Sequence, residues 1–125
     1  MMKAFFDRSS HFIHCRRLLG KFVAGAVTSG SGHDSDVLDY MKYYAQTCSA
    51  QFTGGVSSRA SNIKEKMQDA FQLGKNLISD IREKKEYPEQ MQVIARHAKH
   101  FRNVMELMKN EWVNEYQYWK ERNWL

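Results

Sequence analysis

Two histidines flanked by basic residues have the clearest potential for chemistry in this sequence. His97 and His100 are three residues apart, so they would share one face of a helix. A pair of imidazoles can begin a zinc site, but a stable site needs further acidic or thiolate ligands, and none adjoins this pair. The basic neighbours would also repel a cation. We therefore predict neither a metal site nor a cofactor.

The same segment is better suited to an anion. Four of its residues form a candidate site for phosphate or a lipid headgroup: Arg96, Lys99, His100 and Arg102. Basic side chains bind the phosphates of RNA and of anionic lipids, so this basic ridge would suit either ligand. A solvated helix face is the commoner explanation of such charges, because exposed charges contribute little to stability.

No motif of a known catalytic chemistry appears. The sequence lacks His-Glu-x-x-His, a phosphate-binding glycine loop, Gly-x-Ser-x-Gly and the Glu-x-x-His of di-metal bundles. Cys15 and Cys48 are too few for a disulfide framework or a four-cysteine zinc site, and their spacing does not require them to pair. We therefore predict that the protein is not an enzyme.

Positive charge is concentrated near the N-terminus. Residues 1–32 contain five basic and one acidic side chain, whereas residues 33–125 contain fourteen basic and thirteen acidic ones. The first segment is also rich in serine and aromatic residues and is amphipathic if drawn as a helix, which is typical of a mitochondrial targeting segment. An ordinary basic first helix is the alternative. The longest apolar run has six residues, far fewer than the roughly 20 that cross a bilayer.

The composition and the spacing of apolar residues predict an all-α fold of three to four helices. Residues 1–32 are expected to form an N-terminal basic amphipathic helix ending in a flexible joint, and residues 33–125 a helical body. Cap residues, a Gly-Gly pair and the single proline place the body helices at about 35–53, 58–86 and 88–121. The last two are expected to form an elongated antiparallel hairpin, since the joint between them is short.

The predicted helix at 88–121 has two apolar faces. The broader face is assigned to the core. A helix that is apolar on two sides is buried on two sides, and in so short a chain the second cover is expected from another protein. Together with aromatic residues left over near the C-terminus, this predicts a partner-binding set: Val93, Val104, Leu107, Tyr118 and Trp124.

These observations lead to a hypothesis of function. We expect a non-catalytic accessory subunit of a large mitochondrial assembly, on the matrix side of the inner membrane. Its expected partners are neighbouring protein subunits, with phospholipid as a further candidate contact. A respiratory complex or ATP synthase comes first, because the body is nearly neutral. The alternatives are a mitochondrial ribosomal protein that contacts RNA and a helical bundle that binds a lipid or another small apolar ligand.

Overall fold

A computed structural model describes residues 2–30, 32 and 34–125. Within these residues the helices are α1 (Met2–Arg8), α2 (Ser10–His14), α3 (Asp34–Thr47), α4 (Met67–Glu83), α5 (Pro88–Leu107) and α6 (Val113–Glu121). The strands are β1 (Phe22–Ser29) and β2 (Gln51–Arg59), and a 3-10 turn (Ala60–Asn62) follows β2. The described chain is therefore mixed α/β, with a parallel two-stranded sheet.

The prediction of an all-α fold is wrong because of β1 and β2. Both strands are covered by helices on two faces, so neither shows the alternation of polar and apolar residues that identifies a strand with one exposed face. The predicted N-terminal amphipathic helix is wrong as well, because the segment forms the short helices α1 and α2 and then β1. Of the residues predicted to form a joint, Thr28 and Ser29 belong to β1, and Ser31 lies outside the described residues. Gly54 and Gly55, which were predicted to end a helix, lie inside β2.

The predicted helix boundaries also need correction. The helix expected at 35–53 ends at Thr47, and Ser49 then has a left-handed φ of 74°. The helix expected at 58–86 begins only at Met67, because its first residues belong to β2 and the 3-10 turn. The helix expected at 88–121 is divided into α5 and α6 by a turn.

The antiparallel hairpin of the last two predicted helices is not formed. Helix α4 packs on both strands, whereas α5 packs mainly on α3, α6 and β2. The apolar face of α4 therefore meets the sheet instead of the apolar face of α5. The turn between α5 and α6 redirects the chain so that α6 lies against the N-terminal segment, through contacts described below.

Two adjacent glycines show that α3 and α4 cover opposite faces of the sheet. A Cβ atom on Gly55 would lie 2.6 Å from Cδ2 of Leu38 in α3, and one on Gly54 would lie 3.3 Å from Cδ1 of Leu73 in α4. Successive residues of a strand point to opposite faces. The sheet is thus the middle layer of three. The core between α3 and the sheet consists of Ala45, Ala50 and Phe52 with Leu18, Val23 and Met41 packed around them.

This close approach makes a stability prediction at Gly55. We expect Gly55→Ala to lower the free energy of unfolding by about 1–3 kcal/mol, because the new methyl group overlaps the whole branched end of Leu38. Gly30→Ala is the control, since a Cβ there has no neighbour within 4 Å. Urea unfolding of both variants checks the prediction, and equal stability of the two would contradict it.

Candidate functional site

The N-terminal segment is packed against the last helix of the structure. Trp119 is only 1% exposed, and its Nε1 donates a hydrogen bond to the His14 carbonyl oxygen at 2.7 Å. The His14 ring is stacked on Trp112, with 4.4 Å between ring centroids and 15° between planes. Burial lowers the pKa of His14, which favours the neutral ring in this stack. The segment that was predicted to target the protein to mitochondria is therefore also part of its folded structure.

Arginines from the same segment lie on the C-terminal aromatic rings. The Arg16 guanidinium is 4.9 Å from the Trp124 ring centroid, and the Arg17 guanidinium is 4.1 Å from that of Tyr118. Arg122 lies 3.5 Å from the centroid of Tyr118 as well. Such cation–π contacts contribute about 0.5–2 kcal/mol each. Sequence reasoning missed them, although the Arg-Arg pair and the aromatic C-terminus were both visible.

The structure separates the predicted partner-binding residues into two groups. Tyr118 and Trp124 are half-buried and contact the arginines just described. Val93 and Val104 are half-buried on α5. Leu107, at the end of α5, is 82% exposed and is followed by the exposed Val113 at the start of α6. Partner binding by each of the five residues stays a prediction.

The basic ridge on α5 is exposed at Arg96, Lys99, His100 and Arg102. One member is engaged within the chain, because Arg102 Nε donates a hydrogen bond to the Trp124 carbonyl oxygen at 2.7 Å. His97 is half-buried and meets the Tyr43 ring edge-on, with 6.1 Å between centroids. Within the described part of the chain, no three His, Cys, Asp or Glu side chains are grouped so that they could hold a metal ion. Phosphate binding by the ridge stays a prediction.

A buried glutamine closes the outer edge of β2. The Gln90 side chain accepts a hydrogen bond from the Phe52 N–H at 2.8 Å and donates one to the Phe52 carbonyl oxygen at 2.9 Å. Gln46 Nε2 donates to Gln90 Oε1 at 3.2 Å. The amide thus replaces the hydrogen bonds of a neighbouring strand. Gln90 lies four residues before the buried Ile94, so the two side chains share one face of α5. This spacing is the feature of the sequence that could have indicated the burial of Gln90.

A buried carboxylate fixes the joint between α4 and α5. Asp80 is 3% exposed and accepts a hydrogen bond from the Tyr87 hydroxyl at 2.6 Å. Burial alone would raise the pKa of Asp80, but the Tyr87 hydrogen bond and the Lys85 charge outweigh it and hold the pKa below its ordinary value. The Tyr87 N–H in turn donates to Gln51 Oε1 at 2.7 Å, so the joint is tied to the first residue of β2. These contacts are structural and leave no carboxylate free for acid–base chemistry at this position.

Both cysteines are buried free thiols. Burial raises the pKa of Cys48 to about 11, although a hydrogen bond with Tyr44 partly opposes the shift. Burial also raises the pKa of Cys15. Since the thiolate is the reactive form, neither residue has the environment of a nucleophile.

The Cys48 pKa predicts how stability changes in alkaline solution. The unfolded thiol titrates near 9.0, whereas the folded protein holds its proton to about pH 11. The stability that Cys48 contributes is therefore complete below pH 9 and is lost as the pH rises through about 11. Urea unfolding of the protein and of Cys48→Ala across this range isolates the effect from that of tyrosines and lysines. Parallel pH profiles of the two proteins would contradict the prediction.

An apolar cleft of about 600 Å³ lies between the start of β1 and the α4–α5 joint. Its apolar lining comes from three parts of the chain: Leu19, Phe22, Ile81, Met91 and Ile94. Charged residues, Lys84 and Glu86 among them, complete the lining. The cleft is the feature of the described chain that best suits the small apolar ligand of the second alternative function.

The protein exposes more surface than a compact chain of its size. Its accessible surface is 8688 Å², whereas a compact monomer of this mass is expected to expose about 6,900 Å². In an interface of standard size each chain buries about 800 Å², so the excess of roughly 1,700 Å² corresponds to about two such interfaces. Exposed large apolar side chains are found at several places, including α3 (Val37, Tyr40 and Tyr43), α4 (Met67, Phe71, Ile78 and Ile81) and the α5–α6 turn (Leu107 and Val113).

Comparison with protein-family models, with curated proteins and with solved structures found no match for this chain. Among the helices of residues 2–30 and 34–125, none combines the length and the apolar character needed to cross a bilayer.

Proposed function

We propose that the protein is a non-catalytic accessory subunit of a large mitochondrial assembly. It would bind neighbouring protein subunits on the matrix side of the inner membrane, and an energy-converting complex, either a respiratory complex or ATP synthase, is the first candidate. The proposal assigns the protein a structural role, since its buried carboxylate and thiols serve packing and hydrogen bonding. Its surface chemistry is that of contacts between proteins.

One observation carries the proposal: the apolar surface at the α5–α6 turn. Leu107 is 82% exposed and Val113 is 60% exposed, although both are large apolar residues. Apolar side chains grouped on a surface and rimmed by polar ones mark interaction sites. Lys109, Asn110 and Glu111 supply that polar rim in the turn itself. The excess of accessible surface supports the same conclusion, because it exceeds the need of a single standard interface.

The mitochondrial part of the proposal depends on the basic N-terminal segment. Five basic residues in 1–32 give it the charge of a targeting segment, and α1 leaves Phe5 51% exposed beside the exposed Arg8. An RNA-binding role is less favoured, because residues 33–125 are nearly neutral. Exposed Arg96 and Lys99 would be the first contacts to test if ribosomal RNA were found with the protein.

Affinity purification from mitochondria tests the proposal. The tagged protein is expected in the matrix, bound to the subunits of one inner-membrane complex, and Leu107→Glu is expected to reduce the recovery of those subunits at least about tenfold. Val37→Glu, an exposed apolar residue on α3, is the matched control and should leave recovery unchanged. A cytosolic tagged protein, or equal recovery with both variants, would contradict the proposal. Recovery that depends on intact ribosomal RNA would favour the ribosomal alternative.

A further inference from the structure

Among the residues that the structure describes, β1 is paired only with β2, so its outer edge has no neighbouring strand. The Lys21 carbonyl oxygen accepts a hydrogen bond from the Gln51 N–H at 3.0 Å, which directs the backbone of residue 21 toward β2. Alternate residues of a strand direct their backbone groups to the same side, so those of Phe22, Ala24 and Ala26 point away from β2. In the described chain, no hydrogen bond joins these groups to another element.

This edge has none of the usual protection against pairing. The sequence of β1, Phe-Val-Ala-Gly-Ala-Val-Thr-Ser, contains neither charge nor proline. Edge strands that must stay single are commonly protected by such residues or by a covering element. The outer edge of β2 has such a cover at Phe52, where the Gln90 side chain takes both backbone hydrogen bonds. A two-stranded sheet is marginal alone, so additional strands beside β1 would complete it.

An apolar flank of α4 adjoins the same edge. Met67 lines a groove with Ala26 and Val27 of β1, and Ile81 lines the cleft with Phe22. The flank consists of large exposed side chains around one glycine: Met67, Phe71, Gly74, Ile78 and Ile81. Leu73 and Leu77 turn toward the sheet, so the sheet covers only part of the apolar arc of α4.

The spacing of this flank is nearly symmetric about Gly74: Met67 and Ile81 are each seven residues away, and Phe71 and Ile78 are three and four residues away. If two copies of α4 crossed antiparallel at their Gly74 residues, Met67 would meet Ile81 of the other copy and Phe71 would meet Ile78. A Cβ on Gly74 would have no neighbour within 4 Å in one chain, so the position is open to a second helix. Such self-complementarity is what a twofold interface requires.

We propose that a second copy of this chain binds here, with β1 pairing antiparallel to β1 of its partner. The four strands then form one sheet in the order β2-β1-β1-β2. Leu73 of α4 packs over Gly54 of β2, and Gly54 is paired with Ala24 of β1. Gly74, the next residue of α4, therefore lies at about the same height along the strands as Ala24. One twofold axis can then pass close to both residues. In this register Ala24 pairs with its own copy and Phe22 pairs with Ala26, which gives about six new backbone hydrogen bonds.

Two spacings agree with this assembly. Each α4 lies over its own pair of strands, so the two α4 axes are two strand spacings apart, about 9.6 Å. Packed helices have their axes about 8–10 Å apart, so the two flanks would be in contact. The protein exposes more surface than a compact monomer of its mass, and this excess area is large enough for both the dimer interface and a second interface at Leu107. The dimer therefore goes beyond the proposed function and does not depend on it.

Sedimentation analysis of the purified full chain tests the dimer. At micromolar concentration, the molecular mass measured by sedimentation is expected to be twice that of one chain. Phe71→Glu is expected to raise the dimer dissociation constant about 100-fold or more, because the interface would bury two carboxylates. Phe71 is 63% exposed in one chain, so the substitution should leave the monomer folded, which circular dichroism checks. Leu107→Glu is the matched control and should leave the dimer intact.

A charge-pair variant distinguishes the twofold arrangement from other contacts. Phe71→Lys combined with Ile78→Glu places opposite charges against each other across the twofold axis, and it should restore association to within about tenfold of the unmodified protein. The two positions are seven residues apart in one helix and do not face each other within a chain. A monomer at every accessible concentration, loss of the dimer in Leu107→Glu, or no rescue by the charge pair would overturn the proposal. Failure of the mitochondrial purification would leave this result unaffected.

Discussion

Trp119→Ala is expected to lower the free energy of unfolding by about 3–5 kcal/mol. The indole is 1% exposed, so its removal leaves a large cavity between α6 and the N-terminal segment. The His14 carbonyl oxygen also loses the hydrogen bond from Nε1. The substitution should therefore loosen both ends of the structure together.

Chemical denaturation with hydrogen exchange of residues 10–17 checks this expectation. Val113→Ala serves as the control, because Val113 lies on the same helix but is 60% exposed. Trp119→Phe should lower the free energy of unfolding by less than Trp119→Ala does, since it keeps most of the buried ring and loses mainly the hydrogen bond. A Trp119→Ala protein that keeps full exchange protection at 10–17 would show that this contact does not hold the segment.

Gln90→Ala is expected to lower the free energy of unfolding by about 3 kcal/mol, although the substitution removes only one amide group. It leaves the N–H and the carbonyl of Phe52 buried without partners, and each such group costs about 1–3 kcal/mol. It also removes the acceptor for Gln46 Nε2. Gln92→Ala, on the exposed side of the same helix, is the control. Urea unfolding should separate the two variants clearly.

Gln90→Glu makes the same site sensitive to pH. At neutral pH the introduced carboxylate accepts from the Phe52 N–H but faces the Phe52 carbonyl oxygen without a proton to donate. Burial beside that oxygen raises the folded pKa of the new carboxyl above its unfolded value of about 4.3. The stability deficit relative to the unmodified protein should therefore shrink as the pH falls through this raised pKa. A deficit that stays constant from pH 7 to about 4 would contradict the role assigned to Gln90.

Helices with a clear apolar period could be predicted from the sequence. The start of α5 at Pro88 was expected because proline favours the first helical position, and α3 was expected from the acidic residues at its start. The apolar stripe of α4 was also visible, but its partner was misassigned. The predicted hairpin failed because periodicity identifies an apolar face without identifying what covers it.

The strands and the contact between the chain ends could not be predicted in the same way. Gly25 and Gly55 lie where α3 approaches the sheet closely, and the Gly-Gly pair and serines of β2 resemble the composition of a loop. The pairing of His14 with Trp119 joins residues 105 positions apart, which no local pattern indicates. Leu107 is 82% exposed, which agrees with its place opposite the main apolar stripe, a local property of the helix. Its role in partner binding stays a prediction.

The contact between His14 and Trp119 also has a consequence for the order of events during synthesis. Because 105 residues separate the two, the basic segment leaves the ribosomal exit tunnel long before its aromatic cover has been translated. At about 5–20 residues per second the delay is roughly 5–20 s, during which Arg16 and Arg17 stay accessible on the nascent chain. We expect any factor that recognises this segment to act within that interval, since completion of α6 leaves Arg16 half-buried and places Arg17, which stays exposed, against the Tyr118 ring.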